Sequence, residues 1–216
     1  MSRTPGWHVL GREAFLAPVT WDDGDDFDRS ELHPTWISVR DRSAEHWTTK
    51  ERPRSLTLRA RGASLDEPDV VLVGLRHQYR ACRARPLIDP AQGCGGLAVR
   101  LDEEHRYEIE ADGTEARGLA RRLGARRLGH TAGAPGPDCS RRAESRAAHT
   151  ARRAHRPDVV SLGVELPDGT FTSLATLDGR CLPTEAAGDF IGRVIGLHAA
   201  QGVNHFDRYG YEPLTA

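Results

Sequence analysis

Val159-Val160-Ser161-Leu162-Gly163-Val164-Glu165-Leu166-Pro167-Asp168-Gly169-Thr170-Phe171-Thr172-Ser173-Leu174-Ala175-Thr176-Leu177-Asp178-Gly179 is the stretch whose reading decides the fold. Two short apolar-rich runs, Val159 to Leu166 and Phe171 to Leu177, are separated by Pro167-Asp168-Gly169, and a second turn signal, Asp178-Gly179, closes the pair. Proline presets the backbone for a turn, and glycine tolerates the positive φ that tight turns require. The spacing therefore predicts an antiparallel hairpin or meander.

The same texture extends outward from this hairpin. Leu56-Thr57-Leu58-Arg59, Val71 to Leu75, Leu97 to Leu101 and Tyr107 to Glu110 alternate with period two, which puts apolar groups on one face and leaves the other wet. Near the end, Phe190 to Leu197 and Val203 to Tyr211 form two more runs, split by Ala199-Ala200-Gln201-Gly202. Long amphipathic helices are missing. Some eight to ten strands are expected, enough for an all-β architecture of two packed antiparallel sheets.

Composition narrows the function. The chain has 216 residues and a formal net charge of -1, ample for a core and unsuited to a surface built globally for nucleic acid or an anionic membrane. Met1-Ser2-Arg3-Thr4-Pro5-Gly6-Trp7 shows no apolar run after a positive start, and no later run reaches membrane-spanning length, so a cytoplasmic location is expected. Cys82, Cys94, Cys139 and Cys181 are widely spaced and are read as reduced thiols; no metal and no cofactor is expected. The acidic run Asp22, Asp23, Asp25, Asp26 and Asp28 lacks the order of a calcium loop and reads as a solvated linker. Glu103-Glu104 and Asp22-Asp23 read as turn and solvent-face residues.

The stretch 117–156 departs from this texture. It is almost wholly Arg, Ala, Gly, Pro, His and Ser, with Arg121-Arg122, Arg126-Arg127, Arg141-Arg142 and Arg152-Arg153 as doublets. Too few apolar groups are present to offset ordering entropy, so a disordered basic insertion is expected. Three origins stay open: a solvated insertion, an arm for nucleic acid, or the product of a shifted reading frame in a G- and C-rich gene.

The opening Gly6-Trp7-His8-Val9-Leu10-Gly11-Arg12-Glu13-Ala14-Phe15-Leu16-Ala17-Pro18-Val19-Thr20-Trp21-Asp22-Asp23-Gly24 resembles the segment that closes the propeller of family 43 glycoside hydrolases of β-xylosidase and arabinofuranosidase type. Phe27-Asp28 with Trp36, Trp47 before Glu51-Arg52-Pro53, Gly96-Leu97-Ala98-Val99, His105-Arg106-Tyr107-Glu108-Ile109, and Leu177-Asp178 to Phe190 resemble the concanavalin A-like sandwich of those enzymes. The resemblance implies a jelly-roll, concanavalin A-like two-sheet sandwich over 25–214, interrupted by 117–156 and preceded by a propeller-closing remnant and linker in 1–24. The spacer usual after the Asp-Gly is missing, and Arg208 and Gly210 dilute the aromatic closing segment, so a truncated or degraded gene product is expected.

The resemblance also assigns roles. Catalytic carboxylates in this family lie on the propeller, so this chain is expected to hold no catalytic residue of its own. Arg12 matches the arginine that hydrogen-bonds the hydroxyls of bound xylose or arabinose, and Phe190 matches the phenylalanine extended toward the catalytic pocket. Trp36 and Trp47 are read as core packing ahead of sugar stacking. The implied partners are a family 43 catalytic propeller and a xylo- or arabino-oligosaccharide, with neither nucleic acid nor membrane. The function implied is an accessory C-terminal module of a β-xylosidase-like hydrolase, inactive alone. A free carbohydrate-binding module and a nucleic-acid binder are the alternatives, and an exposed propeller-facing patch is expected to promote self-association.

Overall fold

At 166–170 the turn expected between the two quoted runs closes on itself. The Leu166 amide donates to the Thr170 carbonyl (2.8 Å), the Gly169 amide to the Leu166 carbonyl (2.9 Å), and the Asp168 carboxylate accepts from the Thr170 amide (2.8 Å). Gly169 has φ +83°, the left-handed region its lack of Cβ permits. The strands on either side, β12 (Val159–Glu165) and β13 (Phe171–Asp178), pair antiparallel with a register shift between Leu162 and Gly163. The computed structural model describes residues 24–39, 45–61, 65, 70–89, 92–113, 115–121, 130–133, 143–150, 158–166, 168–182 and 192–214.

Two antiparallel sheets share one long strand, β14 (Val194–Pro213). Its C-terminal half lies in the first sheet between β4 (Leu56–Arg59) and β6 (Cys82–Asp89). Beyond β6 come β11 (Ala143–Thr150), β12 and β13; β3 (Trp47–Thr48) edges β4, and β1 (Gly24–Asp25) pairs with Tyr209 and Gly210. The N-terminal half lies in the second sheet between β5 (Val71–Arg76) and β7 (Gly93–Arg100). That sheet continues through β8 (Arg106–Asp112), β9 (Glu115–Arg121) and β10 (His130–Gly133), with β2 (Ile37–Ser38) outside β5.

The two apolar runs near the C-terminus are thus one strand among the described residues. The Ala199–Gly202 interval that separates them in the sequence is the corner where it changes sheet. Pairing slips between Ala199 and Gln201, and Gly202 sits at φ +61° with the Gln92 carbonyl where a Cβ would project. A bulge with a glycine turns a strand without ending it.

Side chains facing between the sheets make the core: Leu56, Leu58, Ile88, Leu162 and Phe206 from the first, Val73, Leu97, Val99, Ile109, Ile195 and Leu197 from the second. Each such aliphatic or aromatic group contributes about 1.5–3 kcal/mol when withdrawn from water. Phe27, Trp36 and Tyr209 close one end, with ring centroids of Phe27 and Trp36 at 5.7 Å and of Trp36 and Tyr209 at 5.0 Å. Trp36 is therefore core, its indole Nε1 donating to Asp25 (2.8 Å), while Trp47 packs half-buried against the same cluster. Asp26 pairs with Arg54 at 2.6 Å, so two members of the acidic run serve local structure.

Two expectations need correction. One solvated face is found on β6, where Arg83, Arg85 and Asp89 alternate with buried Cys82, Ala84 and Ile88, but not on β4, β5, β7 and β8, which are buried on both faces apart from their ends. The stretch 117–156 is not disordered throughout: its backbone supplies most of β9, all of β10 and all of β11, in register with β8, β6 and β12. Backbone donors and acceptors pair regardless of side-chain polarity, and β11 has a ladder waiting on both edges, so pairing outweighs what composition alone would favour.

Candidate functional site

Arg193 gathers three parts of the chain at one end of the sandwich. It is 0 % exposed, its Nε donates to the Leu182 carbonyl (2.8 Å), and its Nη2 donates to the Gly179 carbonyl (2.5 Å) and to Asp158 Oδ2 (2.5 Å). A planar guanidinium with a fixed fork of donors suits such convergent acceptors. Gly179 also donates its amide to the Asp158 carbonyl (2.7 Å), and a Cβ there would strike the Asp158 carboxylate.

The turn beneath this clamp is Gly179–Cys181, a short 3-10 element capped by Asp178, which accepts from the Arg180 amide (3.0 Å). The Arg180 side chain holds the Asp178 carboxyl below its ordinary range. Tyr107 on β8 donates to the Asp178 carbonyl (2.7 Å), tying the second sheet to the first. Leu182 and Gly192 are the described residues on either side of 183–191, and the Arg193 side chain reaches back to the first of them. Phe190 belongs to that segment and, like Arg12, lies outside the described residues.

A second polar group of residues lies on the outer face of the second sheet. Register aligns Leu72, His198, Gly96, Glu110 and Arg117 in one row across β5, β14, β7, β8 and β9. The next row holds Gly74, Gly196, Ala98 and Glu108. Glu108 and Glu110 are each 5 % exposed and His198 is 1 % exposed. Burial holds the His198 imidazole neutral, its pKa pushed down to about 4. A donor atom from each of Glu108, Glu110 and His198 lies within 4.8 Å of the others.

Neither group of residues is legible from sequence spacing. Arg193 reads as one arginine in an apolar run, and Glu108 and Glu110 read as the wet side of a strand. His198 joins them only through the pairing of β14 with β7. The alternation Glu108-Ile109-Glu110 is a signal that the two carboxylates share a face.

The cysteines behave as buried thiols. Cys82 and Cys94 are buried and free, Cys181 is half-buried and free, and Cys139 lies outside the described residues. Desolvation pushes the Cys82 thiol up to about 12, which makes it unreactive at neutral pH.

Comparison with known proteins places this geometry. The family described as the beta xylosidase C-terminal concanavalin A-like domain matches residues 24–211. A non-reducing end alpha-L-arabinofuranosidase of Bacteroides ovatus is 28% identical over a region covering 46% of this chain and 26% of that protein. A solved family 43 protein of Bacillus licheniformis superposes with a TM-score of 0.77 and 20% identity over 92% of this chain and 41% of its own. A xylan beta-1,4-xylosidase of Bacillus halodurans gives 0.74 and 18% over 93% of this chain and 41% of its own. The chain thus spans about a quarter of that curated relative's length and 41% of these two solved ones.

Proposed function

This chain belongs to the family of β-xylosidase C-terminal concanavalin A-like domains found in family 43 glycoside hydrolases, and from that premise we propose that it supports a catalytic propeller rather than cutting glycosides itself. The observation that carries this reading is the Arg193 clamp. Arg193 bonds Asp158, Gly179 and Leu182, so the described residues that flank 183–191 are held together, which supports a role for Phe190 at a defined place. In our reading Phe190 closes one side of a pocket on the propeller, where a flat ring excludes water from a small sugar. Arg12 supplies hydrogen bonds to sugar hydroxyls from the propeller-closing segment. The substrate class is a xylo- or arabino-oligosaccharide, hydrolysed by carboxylates of the propeller.

The test is a chimaera in which this chain replaces the matching part of the Bacillus licheniformis family 43 protein. Release of nitrophenol from aryl xylosides and arabinosides is expected to survive the exchange and to fall at least about tenfold in kcat/KM with Phe190→Ala, a loss of about 1.4 kcal/mol of transition-state stabilisation. A chimaera that folds and turns over equally well with Phe190→Ala removes the role assigned to that residue.

A further inference from the structure

We propose that Glu108, Glu110 and His198 form a binding site for a divalent transition-metal ion on the outer face of the second sheet. The topology builds the site. His198 on β14, Gly96 on β7 and Glu110 on β8 are successive partners across three strands, and Gly96 carries no side chain to stand between them. Replacing that glycine is not open to the fold, because a Cβ there would strike the Ile109 carbonyl. Glu108, two residues from Glu110 on the same strand, projects to the same face. One donor atom from each residue lies within 4.8 Å of the others, against about 3.3–3.6 Å between the ligand atoms of a tetrahedral site with bonds of about 2.0–2.2 Å.

Charge and hydrogen bonding both suit a cation there. Two carboxylates at 5 % exposure have lost most of their hydration, so positive charge must face them. Arg106 provides some, with its Nε 3.4 Å from Glu108 Oε2. No arginine bonds the outer nitrogen of His198, however. The ring is bonded to the Ile109 backbone, and its Nε2, in a residue 1 % exposed, has no hydrogen-bond partner. The nitrogen engaged by Ile109 is therefore Nδ1, which fixes the tautomer and leaves the lone pair on Nε2. An imidazole held at one nitrogen by a carbonyl and open at the other is the arrangement in which histidine binds metals. One imidazole with two carboxylates suits Zn²⁺, Mn²⁺ or Fe²⁺ better than Ca²⁺ or Mg²⁺, which prefer all-oxygen shells.

The experiment uses the full 216-residue chain, stripped with chelator and then exposed to Zn²⁺, Co²⁺ or Ca²⁺ before gel filtration. Expected are one zinc or one cobalt retained per chain, a rise in melting temperature with Zn²⁺, and no rise with Ca²⁺ at the same concentration. Glu110→Gln and His198→Gln should each abolish retention. A folded wild-type chain that retains neither zinc nor cobalt overturns the proposal, as does retention that survives both substitutions. Should the variants fail to fold, X-ray absorption of the zinc-loaded wild type decides: one imidazole with oxygen donors supports the site, and a sulfur shell or several imidazoles refutes it.

Discussion

Arg193 shows how much one buried side chain can organise. Replacing it by methionine keeps the stem's packing but withdraws donors from the Gly179 and Leu182 carbonyls and from Asp158. Leaving a buried carboxylate without its cation typically costs about 3–5 kcal/mol. Urea denaturation of Arg193→Met is expected to show a loss in that range, with much of it recovered in the double variant Arg193→Met, Asp158→Asn. A loss below about 1 kcal/mol would mean the clamp is decoration. Cys82 supplies a second prediction at this scale. Its thiol titrates near 9 when unfolded and is raised to about 12 by burial in the fold. The folded state therefore holds a proton that the unfolded state releases, so this contribution is complete below pH 9 and is lost as pH climbs toward 12. By pH 12 the loss reaches up to about 4 kcal/mol. Measured as wild type minus Cys82→Ala, the stability difference should fall across that window and stay flat between pH 6 and 8.

Among the elements, β14 decides the architecture, because it is the strand through which both sheets are joined. Two glycines at positive φ test how it turns. Gly169, in the β12–β13 hairpin, has open space where a Cβ would go, whereas Gly202, at the β14 corner, faces the Gln92 carbonyl there. Gly169→Ala carries the backbone penalty alone, about 1–2 kcal/mol, and Gly202→Ala adds a collision with main chain. Thermal melts are expected to rank Gly202→Ala as clearly the more destabilised; equal losses would mean that the corner relaxes freely.

The contrast between these elements also shows what the sequence could reveal. β12, β13, β4 and β5 are legible because local alternation and turn residues specify them. The continuity of β14 is not, since period two runs through a corner unchanged and only the partners differ on either side. β9 and β11 are hidden for the opposite reason: their backbones pair although their composition does not resemble a strand. Burial of both faces of β7 and β8 depends on segments far away in sequence, so Glu108 and Glu110 read as solvent-facing until register brings His198 beside them. Phe190 and Arg12 are readings of motifs that lie outside the described residues, while Arg193 is recognisable only from the convergence of Asp158, Gly179 and Leu182 in space.

For the whole molecule, the role proposed above is support for a propeller's chemistry. The family assignment over 24–211 and the 41% coverage of solved relatives fix which part of those enzymes it matches. A general acid and a base or nucleophile must be held on opposite sides of a glycosidic bond and separated in pKa. Nitrophenol release from aryl xylosides and arabinosides by the purified chain, with and without an added family 43 propeller, is the most direct measurement. Release at the buffer rate is expected for the chain alone, and release above that of the propeller alone when both are present; turnover by the chain alone, well above buffer and indifferent to the propeller, would rule out the supporting role.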